Sequence, residues 1–492
     1  MFPRAACTAR PDECVMTNRW LRVPRTRRAL AASLLALCAG GLILHRAPLG
    51  ARTNVAFASP SEGGTGATFS GHGARGSITL TQSRVFGGSE ARISAVLRIA
   101  ADRSDARERA PLALAIVLDT SGSMMTESKM KQAKDAVAEL VRELRDDDQI
   151  TLVRYASDSE VLQPLARVGD VRERLLARVE ELLASGGTNI PPALSLGMES
   201  LANASPGRVK RVVLVSDGLD NGRLAAERIA RDGAEDRVTV SSLGIGLDFD
   251  PGYMGGVAEA GRGNFAFVKD GTALRTFLRR ELEETAATTV EATEARLVLP
   301  EGVRFVRAIG AEARTEGDGR EVTLRIGSLF AGDERRVVLE LAANAEAGEK
   351  LAIGGEVGWS LVGGERTRVA LSPLALQGTA DAREAELSVD RAAFAEATSA
   401  LASSRQLEAA KALEQGDMQA AQRIVDENIG ALRAAAEAAP APAATAIQAQ
   451  VDAYERAKKE IHAAPPKSAG AKAAARSMAD KEFSNLGRAA AY

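Results

Sequence analysis

The chain has 492 residues, 45% hydrophobic and 26% charged, enough to build several cores. Lys+Arg 63 against Asp+Glu 65 leaves a net charge of -2, which removes any global electrostatic argument for nucleic-acid binding. The three cysteines, Cys7, Cys14 and Cys38, all lie near the N-terminus, so the rest of the chain has no thiol for a disulfide framework, a zinc cluster or a nucleophile.

Residues 1–58 read as a secretory signal or an N-terminal membrane anchor. Arg4, Arg10, Arg19, Arg22, Arg25, Arg27 and Arg28 precede an apolar run at 29–44, which is the order of a targeting segment. The run is short for a membrane span, and the arginines would hold the N-terminus in the cytoplasm while the remainder crosses. Ala56-Phe57-Ala58 has an A-x-A cleavage pattern, unusually far from the apolar run. Residues 59–76 are rich in Gly and Ser and are expected to form a flexible linker. Residues 77–110 hold strands at 77–81 and 91–99, then a charged loop.

An unbroken apolar run at 112–118 opens the central region, 111–284. Such a run, with Ile and Val, reads as a strand buried on both faces of a parallel sheet. It stops at Asp119, and Thr120, Ser121, Gly122 and Ser123 follow at once. This polar loop would sit at the strand's C-terminal end, where open α/β sheets bind ligands. One carboxylate and two hydroxyls on alternate residues suit a hard divalent cation.

Met130, Ala133, Val137, Leu140 and Leu144 then fall at helical spacing. Strands are expected at 150–155 and 161–165, the second an edge because of Pro164. A helix at 171–183 leads to the loop Gly186-Gly187-Thr188-Asn189, and Pro191 suits the first turn of the next helix. A second apolar strand at 209–215 ends in Ser216-Asp217-Gly218. Helix 224–231, strand 238–245, helix 253–260, strand 264–268 and helix 274–284 complete the region. The alternation predicts a doubly wound parallel sheet.

After 285 the period changes to two, as in Val322/Leu324/Ile326, Val337/Leu339/Leu341 and Val357/Trp359/Leu361. This predicts an antiparallel β-sandwich over 285–378. If the strands before 110 complete it, the α/β domain is inserted into the sandwich. Residues 381–463 are Ala- and Glu-rich and read as a helical hairpin, a packing or assembly arm, with Gly416 as a stop and Asp417 as the next N-cap. Residues 464–492 are Lys/Ala-rich and are expected to be mobile, with a short helix near the end. The fold class is therefore multidomain, α/β plus all-β, with a C-terminal α-helical region.

Among chemistry-bearing motifs, HExxH, GxSxG and Walker A patterns are absent, and His45, His72 and His462 are isolated from one another. Three loops remain: Asp119-x-Ser121-x-Ser123, Thr188 in Gly-Gly-Thr-Asn, and Asp217 in Val-Ser-Asp-Gly. In their order and spacing they resemble the von Willebrand factor type A (VWA) domain and its metal-ion-dependent adhesion site, over residues 111–284. The resemblance implies a Rossmann-like domain and a bound Mg²⁺, or Mn²⁺ or Ca²⁺. It implies direct coordination by Ser121 and Ser123. Thr188 would coordinate directly or through water, and Asp119 and Asp217 mostly through water and hydrogen bonds. Asp220 and Asn221 lie just beyond and are not counted as ligands. An open metal position then accepts an acidic side chain from a protein partner.

The order of signal, A domain and β-sandwich looks like that of bacterial envelope proteins. It is also similar to the inter-alpha-trypsin inhibitor heavy chains and the calcium-activated chloride-channel regulators. The expected function is extracytoplasmic, in the periplasm or at the cell surface: metal-dependent protein binding, adhesive or scaffolding, with membrane tethering through residues 29–44. The alternative is a cytosolic VWA cofactor of an AAA+ ATPase, as in chelatase-like systems, against which the N-terminal apolar segment argues. An enzyme is not expected. A metal could activate water, but the three loops hold no general base beyond the aspartates.

Overall fold

A computed structural model describes residues 65–103, 110–217, 220–246, 249–268 and 270–486. The signal or anchor segment, with its apolar run at 29–44 and the three cysteines, lies outside these residues. Among the described residues no helix is long and apolar enough to cross a membrane.

The described chain begins with a hairpin, β1 (Gly66–Gly71) and β2 (Ala74–Leu80). This corrects the expectation of a linker through residue 76. Ala67, Phe69, Ala74, Ile78 and Leu80 are all buried, at the period of two that a half-buried strand requires. The glycines that suggested flexibility make room for rings: a Cβ on Gly71 would stand 2.9 Å from Trp359, and one on Gly76 2.3 Å from Phe69. β3 (Arg84–Phe86) and the long β4 (Ala91–Ala101) follow.

The α/β domain starts with β5 (Leu112–Asp119), buried at every residue. A 3-10 turn at Gly122–Ser128 leads into α1 (Lys129–Glu143), then β6 (Gln149–Tyr155), β7 (Ser159–Arg167), α2 (Val168–Glu181) and α3 (Ile190–Ala202). Next come β8 (Val209–Ser216), α4 (Arg223–Glu235), β9 (Val238–Ile245), α5 (Pro251–Ala260), β10 (Arg262–Val268) and α6 (Gly271–Ala286). The strand order is β10-β9-β8-β5-β6-β7. The sheet is mixed rather than wholly parallel, because β7 runs antiparallel to β6 at the edge. The register shifts where Pro164 and Leu165 fall, which keeps proline's missing donor off the ladder. The chain goes outward from β5 through β6 and β7, then returns to place β8 on the other side of β5. The order therefore reverses between β5 and β8, and a crevice opens at their C-terminal ends.

The chain enters and leaves this domain at one place, since Ala110 N–H donates to Ala286 C=O at 3.2 Å. Beyond it come β11 (Thr288–Val298), β12 (Val303–Ile309), β13 (Glu312–Glu316), β14 (Glu321–Phe330), β15 (Glu334–Ala343), β16 (Lys350–Leu361) and β17 (Arg366–Thr379). They form two sheets with the first strands, β1-β2-β4-β15-β12 and β13-β14-β11-β16-β17-β3. β4 pairs with β15 along its length, so the sandwich is built from chain on both sides of the α/β domain. Ile78, Leu97, Leu324, Leu339, Val357 and Trp359 fill the space between the sheets.

The C-terminal helices are α7 (Ala382–Leu387), α8 (Arg391–Gln415), α9 (Met418–Ala438), α10 (Ala441–Ala463) and α11 (Ala469–Asn485). Gly416, at φ 84°, ends α8, and the Asp417 carboxylate caps α9 by accepting from Ala420 N–H. α8 lies on the outer face of the first sheet, with Ala393, Ala397 and Ala400 against Val96, Ile309 and Val338. Arg98 of β4 ties them together by bonding Glu396 of α8 and Glu334 of β15. The expected mobile tail is corrected for residues 469–485. They form α11, capped by Ser468, and dock through Arg476, Asp480 and Phe483 onto the α/β domain. The Lys/Ala composition concealed those three residues, spaced four and three apart.

Candidate metal centre

The crevice between β5 and β8 receives Asp119 and Asp217 from the ends of those strands, and both are 0% exposed. Asp119 Oδ1 accepts from Ser121 N–H at 2.7 Å, and its Oδ2 accepts from the Ser216 hydroxyl at 2.8 Å. Ser121 Oγ and Ser123 Oγ lie 2.9 Å apart, and Ser123 Oγ donates to Asp217 Oδ1 at 2.7 Å. A hydroxyl has one proton, so Ser121 is the donor to Ser123. Two carboxylates and two hydroxyls thus form one connected set. Ser121 is buried and Ser123 is exposed, so the set opens to solvent at Ser123.

The scaffold fixes the first loop tightly. Thr120 gives both its N–H and its hydroxyl to Tyr155 C=O, at 2.7 and 2.9 Å. Tyr155 donates its own hydroxyl to Val215 C=O at 3.2 Å, which ties β6 to β8 behind the site. Burial pushes the Tyr155 phenol well above its ordinary pKa, so it stays a neutral donor. The second loop is held by Ser185 N–H to Thr120 C=O at 2.7 Å and by Gly122 N–H to Gly186 C=O at 3.0 Å.

Thr188 is the outlier among the five expected ligands. It is half-buried and makes no hydrogen bond to the other four, although its loop touches the first one through Gly186. Asp220 has a bracing role. Its Oδ2 accepts from Ile190 N–H at 2.7 Å and from the Tyr253 hydroxyl at 3.1 Å. It therefore satisfies the first turn of α3, where Asn189 provides no side-chain cap.

The chemistry of the donor set fits a hard cation. Two fully buried carboxylates call for nearby positive charge, and the Lys129 ammonium at Asp217 Oδ2 supplies one charge against their two. Desolvation raises the Asp119 pKa above its ordinary value, although its bonds from Ser121 and Ser216 pull the other way. Hydroxyl and carboxylate oxygens are the ligands Mg²⁺ and Ca²⁺ take. Among the described residues no cluster of three or more His, Cys, Asp and Glu gathers that could hold a metal. An ion held here would take serine oxygens beside the two carboxylates.

Two participants escaped sequence reasoning. Ser216 was visible only as the residue before Asp217. Lys129 Nζ lies 3.0 Å from Asp217 Oδ2, with the lysine side chain 2% exposed. A signal for it existed, because Lys129 is in helical phase with the buried Ala133, Ala136 and Leu140.

The von Willebrand factor type A domain family matches residues 113–280. The chain is 27% identical to YfbK of Escherichia coli over 244 residues, 47% of this chain and 42% of that protein. It is 31% identical over 169 residues to a mouse inter-alpha-trypsin inhibitor heavy chain, 31% of this chain and 17% of that protein. The chain thus matches less than half the length of either relative. A solved von Willebrand factor type A structure from Catenulispora acidiphila superposes with a TM-score of 0.62 at 18% identity, covering 83% of this chain and 92% of that one. At that identity it shows a shared fold, which extends past the α/β domain into the sandwich and helices. With the crevice, the three loops and the family match in one place, residues 113–280 are a von Willebrand factor type A domain.

Proposed function

We propose that this chain binds a partner protein through a divalent ion, Mg²⁺ or in its place Mn²⁺ or Ca²⁺, held at the β5/β8 crevice. The observation that carries the reading is the bonded set Asp119, Ser121, Ser123 and Asp217, buried at its carboxylates and open at Ser123. Neutral hydroxyl ligands leave a bound ion electrophilic, so an acidic side chain of the partner would complete its coordination. The role is binding, adhesive or scaffolding, without turnover. The basic N-terminal region and the apolar run at 29–44 support an extracytoplasmic location with tethering at a membrane.

The test is affinity capture from an envelope extract by the tagged chain, in Mg²⁺ or in EDTA, beside Thr188→Ala. A protein retained only with Mg²⁺, lost with the variant, and cross-linked near Ser123 is the expected result. Capture that ignores both metal and the substitution would move the binding function to the sandwich or the helices. Protease accessibility in spheroplasts checks the location.

A further inference from the structure

We propose that Lys129 is a resident cation of this centre, which lowers the strength with which the ion is held. The inference rests on the metal-binding reading above and concerns how strongly the ion is held. Lys129 is the first residue of α1 and points into the domain, with Nζ 3.0 Å from Asp217 Oδ2. Its stem passes directly against the backbone at Gly246, beyond the end of β9. A Cβ at that position would stand 2.8 Å from Lys129 Cε, and the residue has φ 77°, so glycine clears the path. A buried ammonium persists only where it is paired, and here the pair is made with the carboxylate expected to face the metal.

The two oxygens of Asp217 are divided between partners. Oδ1 takes the proton of Ser123 on the hydroxyl side, and Oδ2 takes Lys129 on the other. Lysine therefore does not occupy the hydroxyl face, and an ion can share Asp217 with it. The consequences follow from charge. Without a metal, the ammonium offsets one of the two buried carboxylates, so the loops hold together. With a divalent ion present, the ammonium beside Asp217 Oδ2 adds repulsion that the ion would not meet at the carboxylates alone. The ion is held more weakly than two carboxylates alone would hold it, and an anionic ligand is attracted more strongly.

The experiment titrates the purified full chain with Mn²⁺ by calorimetry and by electron paramagnetic resonance, comparing wild type, Lys129→Met and Lys129→Gln. Removal of the charge should tighten Mn²⁺ binding by about tenfold or more. Affinity that is unchanged or weaker in both variants, while wild type binds, overturns this inference and leaves the metal-binding reading standing. Tight binding in the variants with none in wild type supports the lysine's role and overturns the proposed function. Absence of binding in all three overturns both. If Lys129→Met fails to fold in EDTA, recovery of its melting transition on adding Mn²⁺ supports the inference. Failure to recover, with wild-type affinity in Lys129→Gln, overturns it.

Discussion

Phe483 of α11 occupies the space that a side chain on Gly255 of α5 would need: a Cβ there would stand 2.2 Å from the ring. The same ring meets Phe265 of β10 edge-on, with centroids 5.2 Å apart. One turn earlier, Asp480 Oδ1 accepts from Phe267 N–H at 2.8 Å and covers the open edge of β10. Arg476 donates to Phe249 C=O at 2.7 Å and lies 5.3 Å from that ring's centroid. Gly255→Ala should therefore lever α11 away, at a cost of about 1–3 kcal/mol for overpacking. Hydrogen exchange should quicken in residues 469–485 and along β10, with the rest of the sheet unchanged. Unaltered exchange in α11 would show that the helix does not depend on this contact.

Thr188 and Asp119 should respond differently to substitution, although both are expected metal ligands. Asp119 is fully buried and holds Ser121 N–H and the Ser216 hydroxyl, so Asp119→Ala orphans two donors and should cost about 2 kcal/mol or more. Thr188 is half-buried and unbonded to the other four residues, so Thr188→Ala should leave the melting temperature nearly unchanged. Both should weaken Mn²⁺ binding in a calorimetric titration. A lower affinity in Thr188→Ala at constant stability is the cleaner sign of a ligand. Unchanged affinity would remove Thr188 from the site.

The sequence exposed the centre because its signals were local. Asp119 ends an apolar run buried at all eight positions, so the run, its stop and the hydroxyls after it could be read without knowing the neighbours. The alternation of elements implies a doubly wound sheet, and the crevice follows once the strand order places β8 beside β5. What the sequence concealed depended on distant partners. Gly71 and Gly76 read as linker until Trp359 and Phe69 supply the rings that need their space. Residues 469–485 read as tail until β10 offers an edge to cover. Lys129 shows its helical phase in the sequence but not its partner, because Asp217 lies 88 positions away. Arg211 and Glu281 likewise form a buried pair between β8 and α6 that no spacing announces.

Glu291 gives a pH test of the junction between sandwich and VWA domain. It lies on β11, 5% exposed, and burial raises its pKa, opposed by Arg237 at 4.0 Å and by Lys210. A carboxyl raised on folding destabilises the native state wherever it is ionised. That cost is relieved as pH falls through the folded pKa, and it vanishes below the unfolded value of about 4.3. Glu291→Gln should thus melt higher than wild type at neutral pH. The gap should close as pH falls from the raised value toward about 4.3. A gap independent of pH would assign the effect to packing. A lower melting point at neutral pH would show that the pairing with Arg237 outweighs the desolvation.

The VWA domain should fold when cut out of the sandwich. Its two ends are hydrogen-bonded neighbours, Ala110 to Ala286, so excision removes no strand from its sheet and strands no loop. Both faces of that sheet carry their own apolar cores, one around Leu114, Ile116, Val137 and Leu175, the other around Val117, Leu194, Leu214 and Val257. Residues 110–287 expressed alone should melt in one cooperative transition, and Mn²⁺ should raise it. The isolated domain loses α11, which uncovers Phe249, Phe265 and the edge of β10. Its stability should fall below that of the full chain by about 2–3 kcal/mol, the scale of one large aromatic returned to water. Calorimetry on both proteins checks this. Non-cooperative melting of residues 110–287 would mean that the sandwich and helices supply structure the domain needs. Equal stability would mean that α11 rests on the domain without supporting it.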